Sequence, residues 1–367
     1  MRCASGPTAS RPTTPSWLRT GCVRCRRALP DGRRRECPVD DLPPPSPART
    51  RNYHARMSAQ MPLDQQILHV YVAMQNLAHG RPVNDIAEEI GKSRFVTARM
   101  VRRARDLGLI EVRPTVSVPI DVDLSAQLAQ RFGLQSALVV ATRSTDDAEV
   151  REVIASVTAR FIRETVQEDD VLGFAPGRTL VLASREIEVL PSADVVQLTG
   201  IGWPRLEEGV EVISNIGRAT GGATAPLYVP ILIDPEATPI LRHPAIKETT
   251  ARFRHVRKAF LTIGGWPDSS LLAQILAENG EREAFEERGV VAEFGTTLLD
   301  IHGRSVPGLE GRFIGIPEAE LRAVPLRVAI GGGEGKQRGV LATLRAGLAH
   351  VIITDVRSAE LALAADG

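Results

Sequence analysis

Residues 86–110 read IAEEIGKSRFVTARMVRRARDLGLI, and the architecture of the first part of the chain follows from them. Ile86, Ala87 and Ile90 put an apolar edge on a short helix from Val83 to Ile90, and Gly91 turns the chain. Ser93 suits the N-cap of a second helix that runs to about Leu107, where Gly108 stops it. On that helix Met100, Val101 and Ala104, flanked by Val96 and Thr97, form the inward stripe. Phe95, Ala98, Arg99 and Arg102 share the opposite face at i, i+3, i+4, i+7 spacing. Residues 92–105 also carry Lys92, Arg94, Arg99, Arg102, Arg103 and Arg105 with no acid among them.

Upstream, residues 63–79 place Ile67, Leu68, Tyr71, Met74 and Leu77 near helical spacing, which predicts a helix built on that stripe and closed by Gly80. Downstream, Leu109–Val112 reads as a short strand, the first half of a wing. Helix, helix, tight glycine turn, helix and strand describe a (winged) helix-turn-helix over 62–114. A major groove admits one helix, and arginine forks pair with guanine edges or phosphate oxygens. Ser93 and the free N–H groups of the helix start suit a backbone phosphate. The residues expected on double-stranded DNA are therefore Ser93, Arg94, Phe95, Ala98, Arg99 and Arg102. A solvated basic helix in a small bundle is the plainer reading of the same charges; the three-helix order with Gly91 at the turn favours DNA.

Beyond Pro114 the pattern changes. Apolar strands are expected at Ser136–Ala141, Val171–Phe174, Val195–Leu198, Phe260–Ile263, Val328–Ile330 and Val351–Thr354, with a helix over Glu149–Gln167. Most of these strands run into glycine and are followed by helix, which is the grammar of a parallel sheet covered on both faces. Residues 115–367 are thus expected to form a Rossmann-like, mainly parallel α/β domain.

Charge is divided along the chain. The net charge of +1 conceals 12 Arg and 4 acids in residues 1–56, against 33 basic and 40 acidic residues in the remainder. An acidic body does not hold nucleic acid by bulk charge, so any DNA contact must come from a gathered basic face. The same stretch contains all four cysteines (Cys3, Cys22, Cys25, Cys37) and nine of the 25 prolines. With His54, the cysteines match no closed zinc spacing, and residues 1–61 read as a disordered Arg/Pro-rich leader, with an over-extended reading frame ahead of Met57 as the alternative. No apolar run is long enough to span a bilayer and no signal peptide is evident, so the expected location is the cytoplasm.

Three loops of the α/β part are candidates for holding a ligand. In Leu172–Leu180 (LGFAPGRTL), backbone N–H groups near Gly177, the Thr179 hydroxyl and the Arg178 charge could cradle an anion. In Gly289–Asp300 (GVVAEFGTTLLD), Glu293 sits amid apolar residues, where sugar hydroxyls or an arginine would satisfy it. In Val328–Lys336 (VAIGGGEGK), a strand passes through glycines to a helix start and Lys336 brings a point charge. Lysine is scarce, four against 41 arginines, so its place in this loop is informative. A capped helix with a solvated lysine remains the structural alternative, and no GxGxxG run indicates a dinucleotide.

Residues 86–110 resemble the helix-turn-helix of SorC-type sugar-binding transcriptional regulators, in the Ile-Ala, Gly, Ser-Arg and Ala-Arg pairs ahead of a Gly-Leu/Ile exit. The resemblance continues through Phe132-Gly-Leu, Gly177-Arg-Thr-Leu, Ile263–Leu272 (IGGWPDSSLL), Gly289–Asp300, Gly332–Lys336 and Ile353-Thr-Asp355. It departs at Thr97-Ala98, at Pro176 and at Thr296-Thr297. It implies an effector domain like the sugar-phosphate isomerase and deaminase fold, with Gly177, Arg178, Thr179, Glu293 and Lys336 lining the effector site. It also implies an operator, a sugar or sugar-phosphate effector, and self-association as a dimer or tetramer.

The competing reading is a sugar-phosphate isomerase or deaminase with a basic appendage. Such chemistry needs a placed acid/base pair, yet the seven histidines form no cluster, and Glu293 and Asp300 are the carboxylates near the loops. The sequence thus predicts a regulator and not an enzyme, with no catalytic residue, cofactor or metal.

Overall fold

The computed structural model describes residues 61–110, 119–142, 144–202 and 206–365. The leader expected over 1–61, with its four cysteines, lies outside the described residues apart from Met61. The chain divides into two compact units between Arg113 and Pro114.

The described part of the first unit is three helices, α1 (Leu63–Leu77), α2 (Val83–Glu89) and α3 (Arg94–Asp106). Gly91 adopts φ +63°, a left-handed turn that glycine enters without strain, between α2 and α3. The Ser93 hydroxyl then caps α3 by accepting from the Val96 N–H at 3.4 Å. Val72, Ile86 and Met100 form the small core, with Leu68, Ile90 and Val101 packed against it.

Three expectations fail here: the inner face of α1, the inward placing of Val96 on α3, and the strand at Leu109-Ile110. On α1 the buried residues are His69, Val72 and Ala73, while Ile67, Tyr71, Met74 and Leu77 are exposed. Apolar residues occur around much of this helix, so periodicity alone does not choose its inner face; packing against α2 and α3 does. On α3, Thr97 is buried and Val96 is exposed, with the Thr97 hydroxyl donating to Ser93 O at 3.1 Å. Leu109 and Ile110 form a bend rather than a strand, and the rest of the expected wing strand lies outside the described residues.

The second unit is built on one nine-stranded sheet. Its strands are β1 (Ser136–Val140), β2 (Asp170–Ala175), β3 (Ala193–Gln197), β4 (Thr224–Ala225), β5 (Lys258–Gly265), β6 (Val290–Phe294), β7 (Thr297–Asp300), β8 (Leu326–Ile330) and β9 (Val351–Asp355). Seven run parallel in the order β1-β9-β8-β5-β2-β3-β4. The strands β8 and β9 are buried almost throughout, as burial on both faces requires. One face carries α5 (Asp147–Thr165), α6 (Arg178–Arg185) and α7 (Leu206–Thr220), packed through Ile154, Leu180 and Ile216 onto Phe174 and Phe260. Those two rings stack at 5.1 Å. The other face carries α4 (Val122–Phe132), α12 (Gln337–Arg345) and α13 (Val356–Ala364), through Leu128, Leu341 and Ala359. The remaining helices are α8 (Pro244–Ala251), α9 (Leu271–Glu278), α10 (Arg282–Glu287) and α11 (Glu318–Ala323).

Gly289–Asp300 is not a loop. It is the hairpin β6–β7, turning at Gly295-Thr296, and β6 adds antiparallel to the end of β5. A two-residue turn beginning with glycine is itself a hairpin signal. From the adjacent pair β2 and β5, the sheet continues one way to β3 and the other way to β8. In such open sheets the crevice outside the strands' carboxyl ends is where ligands bind.

Arg327 on β8 is buried without a carboxylate partner among the described residues. It donates to the carbonyls of Leu348, Arg322 and Val324 at 2.7–2.8 Å, and its Nη2 lies 3.0 Å from His350 Nε2. The Arg327 backbone N–H also faces His350 Nδ1, at 3.3 Å. Both groups only donate, so one of the ring nitrogens accepts and the ring is neutral. Burial, then the Arg327 charge, holds the imidazole below its ordinary value. The unfolded chain therefore takes up a proton that the folded chain refuses, and stability present above about pH 6.5 is lost as pH falls below it. We expect Tm to fall between pH 7 and pH 5, and the fall to be shallower in His350→Gln, measured by circular-dichroism melts.

Candidate functional site

Helix α3 presents Ser93, Arg94, Phe95, Ala98, Arg99 and Arg102 to solvent. The Arg94 guanidinium lies over the Phe95 ring at 4.7 Å, and Phe95 is 69% exposed. The hydroxyl of Ser93 accepts from the helix backbone and keeps its own hydrogen for a further acceptor. Phe95, Ala98, Arg99 and Arg102 thus share one open face opposite the buried Met100 and Ala104. That is the arrangement needed to lay a helix against a polyanion and reach base edges.

In the α/β unit the second region lies at the carboxyl ends of β2, β5 and β8. Three loops meet there because glycines let backbone touch backbone; a Cβ on Gly265 would overlap the carbonyl oxygen of Gly335. Gly177 is the N-cap residue of α6, close against Thr262, and offers no side chain to the first-turn N–H groups. Arg178 opens the helix half-buried, whereas Thr179 is buried. Glu293 projects from β6 beside Gly264 and accepts from the Ser270 hydroxyl at 2.8 Å. Ser270 in turn caps α9, accepting from the Ala273 N–H at 2.9 Å. The structure therefore brings Arg178, Glu293 and Lys336 together.

The glycine loop before α12 differs from expectation. The N–H of Gly333 is already bonded to Asp355 Oδ1 and that of Glu334 to Asp147 Oδ1, each at 3.0 Å. These two groups are held by the protein's own carboxylates and do not cradle an outside anion. What the loop delivers is the Lys336 side chain.

The electrostatics of the pair follow from desolvation. Burial pushes the Glu293 carboxyl up to about 7, against the opposing pull of the Ser270 hydrogen bond and the Lys336 charge. Trp266 pulls in the same direction, although its buried Nε1 makes no hydrogen bond of normal geometry. Burial, with the Arg178 and Arg151 charges, lowers Lys336 to about 8 against the opposing pull of Glu293 and Asp147. Near neutral pH Glu293 can therefore give or take a hydrogen bond, which suits hydroxyl groups, while a mainly protonated Lys336 suits an anion.

An open crevice of about 630 Å³ lies here, lined by Asp147, Arg151, Arg178, Trp266, Asp268, Ser269, Glu334, Gly335 and Arg338. Most of these escaped the sequence reading. Ser269 and Ser270 follow Trp266-Pro-Asp in a stretch whose alternation carries no chemical signal. The spacing of Asp147 and Arg151, one helical turn apart, was available but marks any helix face.

A carboxyl raised by burial stabilises the fold as the neutral acid, and that contribution is lost as pH rises through about 7. We expect Glu293→Gln to raise Tm at pH 8 by about 2–4 °C, the shift that roughly 1 kcal/mol gives a chain of this size. At pH 5 the variant should melt with the parent. Thermal melts at both values test this, and an unchanged Tm at pH 8 would contradict a desolvated Glu293.

Residues 118–364 match the Sugar-bind family model, described as "Putative sugar-binding domain". The sorbitol operon regulator of Klebsiella pneumoniae is 26% identical over 299 residues, covering 76% of this chain and 91% of that protein. The deoxyribonucleoside regulator of Bacillus subtilis (strain 168) is 25% identical over 291 residues, covering 75% and 90% respectively. The crystal structure of full-length SorC, the sorbitol operon regulator of K. pneumoniae, shares the fold with a TM-score of 0.59 and 22% identity, over 82% of this chain and 99% of that one. A domain of a "possible sugar-binding transcriptional regulator" from Arthrobacter aurescens TC1 gives 0.58 at 23% identity, over 69% of this chain and 100% of that one. With the family model spanning well over half of its length, the chain belongs to the Sugar-bind family of SorC-type regulators.

Proposed function

We propose that this chain is a sequence-specific DNA-binding transcriptional regulator of carbohydrate metabolism, whose operator affinity is set by a sugar or sugar-phosphate effector. The observation that carries the reading is the crevice at the ends of β2, β5 and β8, walled by Arg178, with Lys336 next to its lining residue Gly335 and Glu293 bonded to Ser270 next to its lining residue Ser269, a set with hydroxyl-matching and anion-matching chemistry. Gly177, Arg178, Thr179, Glu293 and Lys336 are the effector residues in this reading, with Thr179 supporting the loop from a buried position. On α3, Ser93, Arg94, Phe95, Ala98, Arg99 and Arg102 are the DNA-binding residues.

Regulation requires the effector to favour one arrangement of the DNA-binding heads over another. Heads of this kind work in pairs on symmetric operators, so a dimer or tetramer is part of the proposal. Assembly is assigned mainly to the α/β part, over 115–367. Among the described residues no helix is long and apolar enough to cross a membrane, and the chain is assigned to the cytoplasm. The relatives are named as regulators, which favours this reading over an isomerase or deaminase.

The test is fluorescence anisotropy at fixed salt on the DNA upstream of the chain's own transcription unit, with and without a panel of sugar phosphates. One panel member should change affinity for a specific fragment. Arg99→Ala with Arg102→Ala should weaken that binding about tenfold or more, as loss of base or phosphate contacts does, with effector binding unchanged. Binding no tighter than to random DNA under every condition would overturn the proposal.

A further inference from the structure

The outer walls of the crevice hold two arginines that the effector reading leaves unused. Arg151 stands on α5 one turn after Asp147, half-buried, and Arg338 is the second residue of α12, exposed. Among the described residues neither guanidinium has a carboxylate within ion-pair distance. Some arginines of this unit are paired, Arg185 with Glu211, Arg312 with Glu281 and Arg322 with Glu318, and others are not; what distinguishes Arg151 and Arg338 is that both line this crevice. The crevice's own carboxylates do not serve. Asp147 is tied through Oδ1 to the Glu334 N–H, and the exposed Asp268 and Glu334 make no ion pair. The positive charges also act on one another, since Arg178 and Arg151 both lower the Lys336 ammonium. Like charges gathered around a cavity are a standing repulsion that a bound anion removes. One phosphate, with a charge of roughly −2, is matched by Lys336, Arg178 and the first-turn N–H groups of α6. Arg151 and Arg338 are cationic capacity beyond that.

We propose that Arg151 and Arg338 form a second anion subsite at the mouth of the crevice, selecting a sugar that carries two anionic groups over one that carries a single phosphate. The chemical class is a sugar bisphosphate or a phosphorylated sugar acid, because a guanidinium fork pairs bidentately with phosphate or carboxylate alike. A crevice of about 630 Å³ is within the size range of small-molecule sites. The inner anion lies by Lys336 and Arg178, the polyol by Glu293, and the second anion at the rim. The inference rests on the reading of this crevice as the effector site.

The test is calorimetric titration of the full chain, at constant ionic strength, with glucose 6-phosphate, glucose 1,6-bisphosphate and 6-phosphogluconate. One of the doubly charged sugars should bind about tenfold tighter than glucose 6-phosphate, and which one does so separates phosphate from carboxylate at the rim. In Arg151→Gln with Arg338→Gln that advantage should vanish while glucose 6-phosphate affinity stays within about twofold. Arg338 is exposed, Arg151 is half-buried, and among the described residues neither makes an ion pair, so the variant should melt no lower than the parent. Equal binding of singly and doubly charged sugars overturns the proposal. So does an advantage that survives in the double variant, or no binding by any of the three. Lys336→Gln separates this from failure of the site: it should weaken all binding sugars together, and if it weakens none, the effector-site reading falls as well.

Discussion

Glu293 and Lys336 are opposite charges held largely out of water at the carboxyl ends of β5, β6 and β8, and their desolvation is the constraint around which the effector domain is arranged. Each loses more by burial than its partner returns, which is why the carboxyl rises and the ammonium falls toward one another. Such a pair is a poor way to stabilise a fold. It persists because its neighbours leave it no alternative: Ser270 ties Glu293 to the start of α9, and Asp147 and Asp355 fix the loop that carries Lys336. The stability lost at the pair is supplied by the two apolar layers on either face of the sheet.

The sheet order explains why these groups meet at all. Glu293 and Lys336 are far apart in sequence, and β5 lies between β2 and β8, so the ends of three strands converge on one crevice. The hairpin β6–β7 then folds back on the end of β5 and sets Glu293 against Gly264. Glycine at 265 matters for the same reason, since a side chain there would drive off the loop carrying Gly335 and Lys336. Backbone proximity, more than side-chain identity, shapes the site.

The helical unit follows a different economy. Its described core is three buried side chains, so the polar grammar of caps and turns carries much of the specification. Ser93 and Gly91 place α3, and its outward face is then free to be basic. The apolar residues left outside on α1 show how little of that helix so small a core can cover.

Local signals were legible wherever the chain itself bears the cost of a wrong conformation. Gly91, Ser93 and the period of α3 determined the helix-turn-helix and its open face, and short apolar runs, four of them leading into glycine, determined six strands of the parallel sheet. Arg178, Glu293 and Lys336 were legible as chemistry because a charge among apolar residues or glycines needs an explanation. Tertiary structure decided what no window of sequence contains. It chose the inner face of α1, turned an expected loop into β6–β7, engaged the Gly333 and Glu334 N–H groups with carboxylates, and brought Arg151, Ser269 and Arg338 to the crevice. The physical reason is common to all four. Propensity and capping act over a few residues, whereas burial and pairing depend on which distant segments the sheet order makes neighbours.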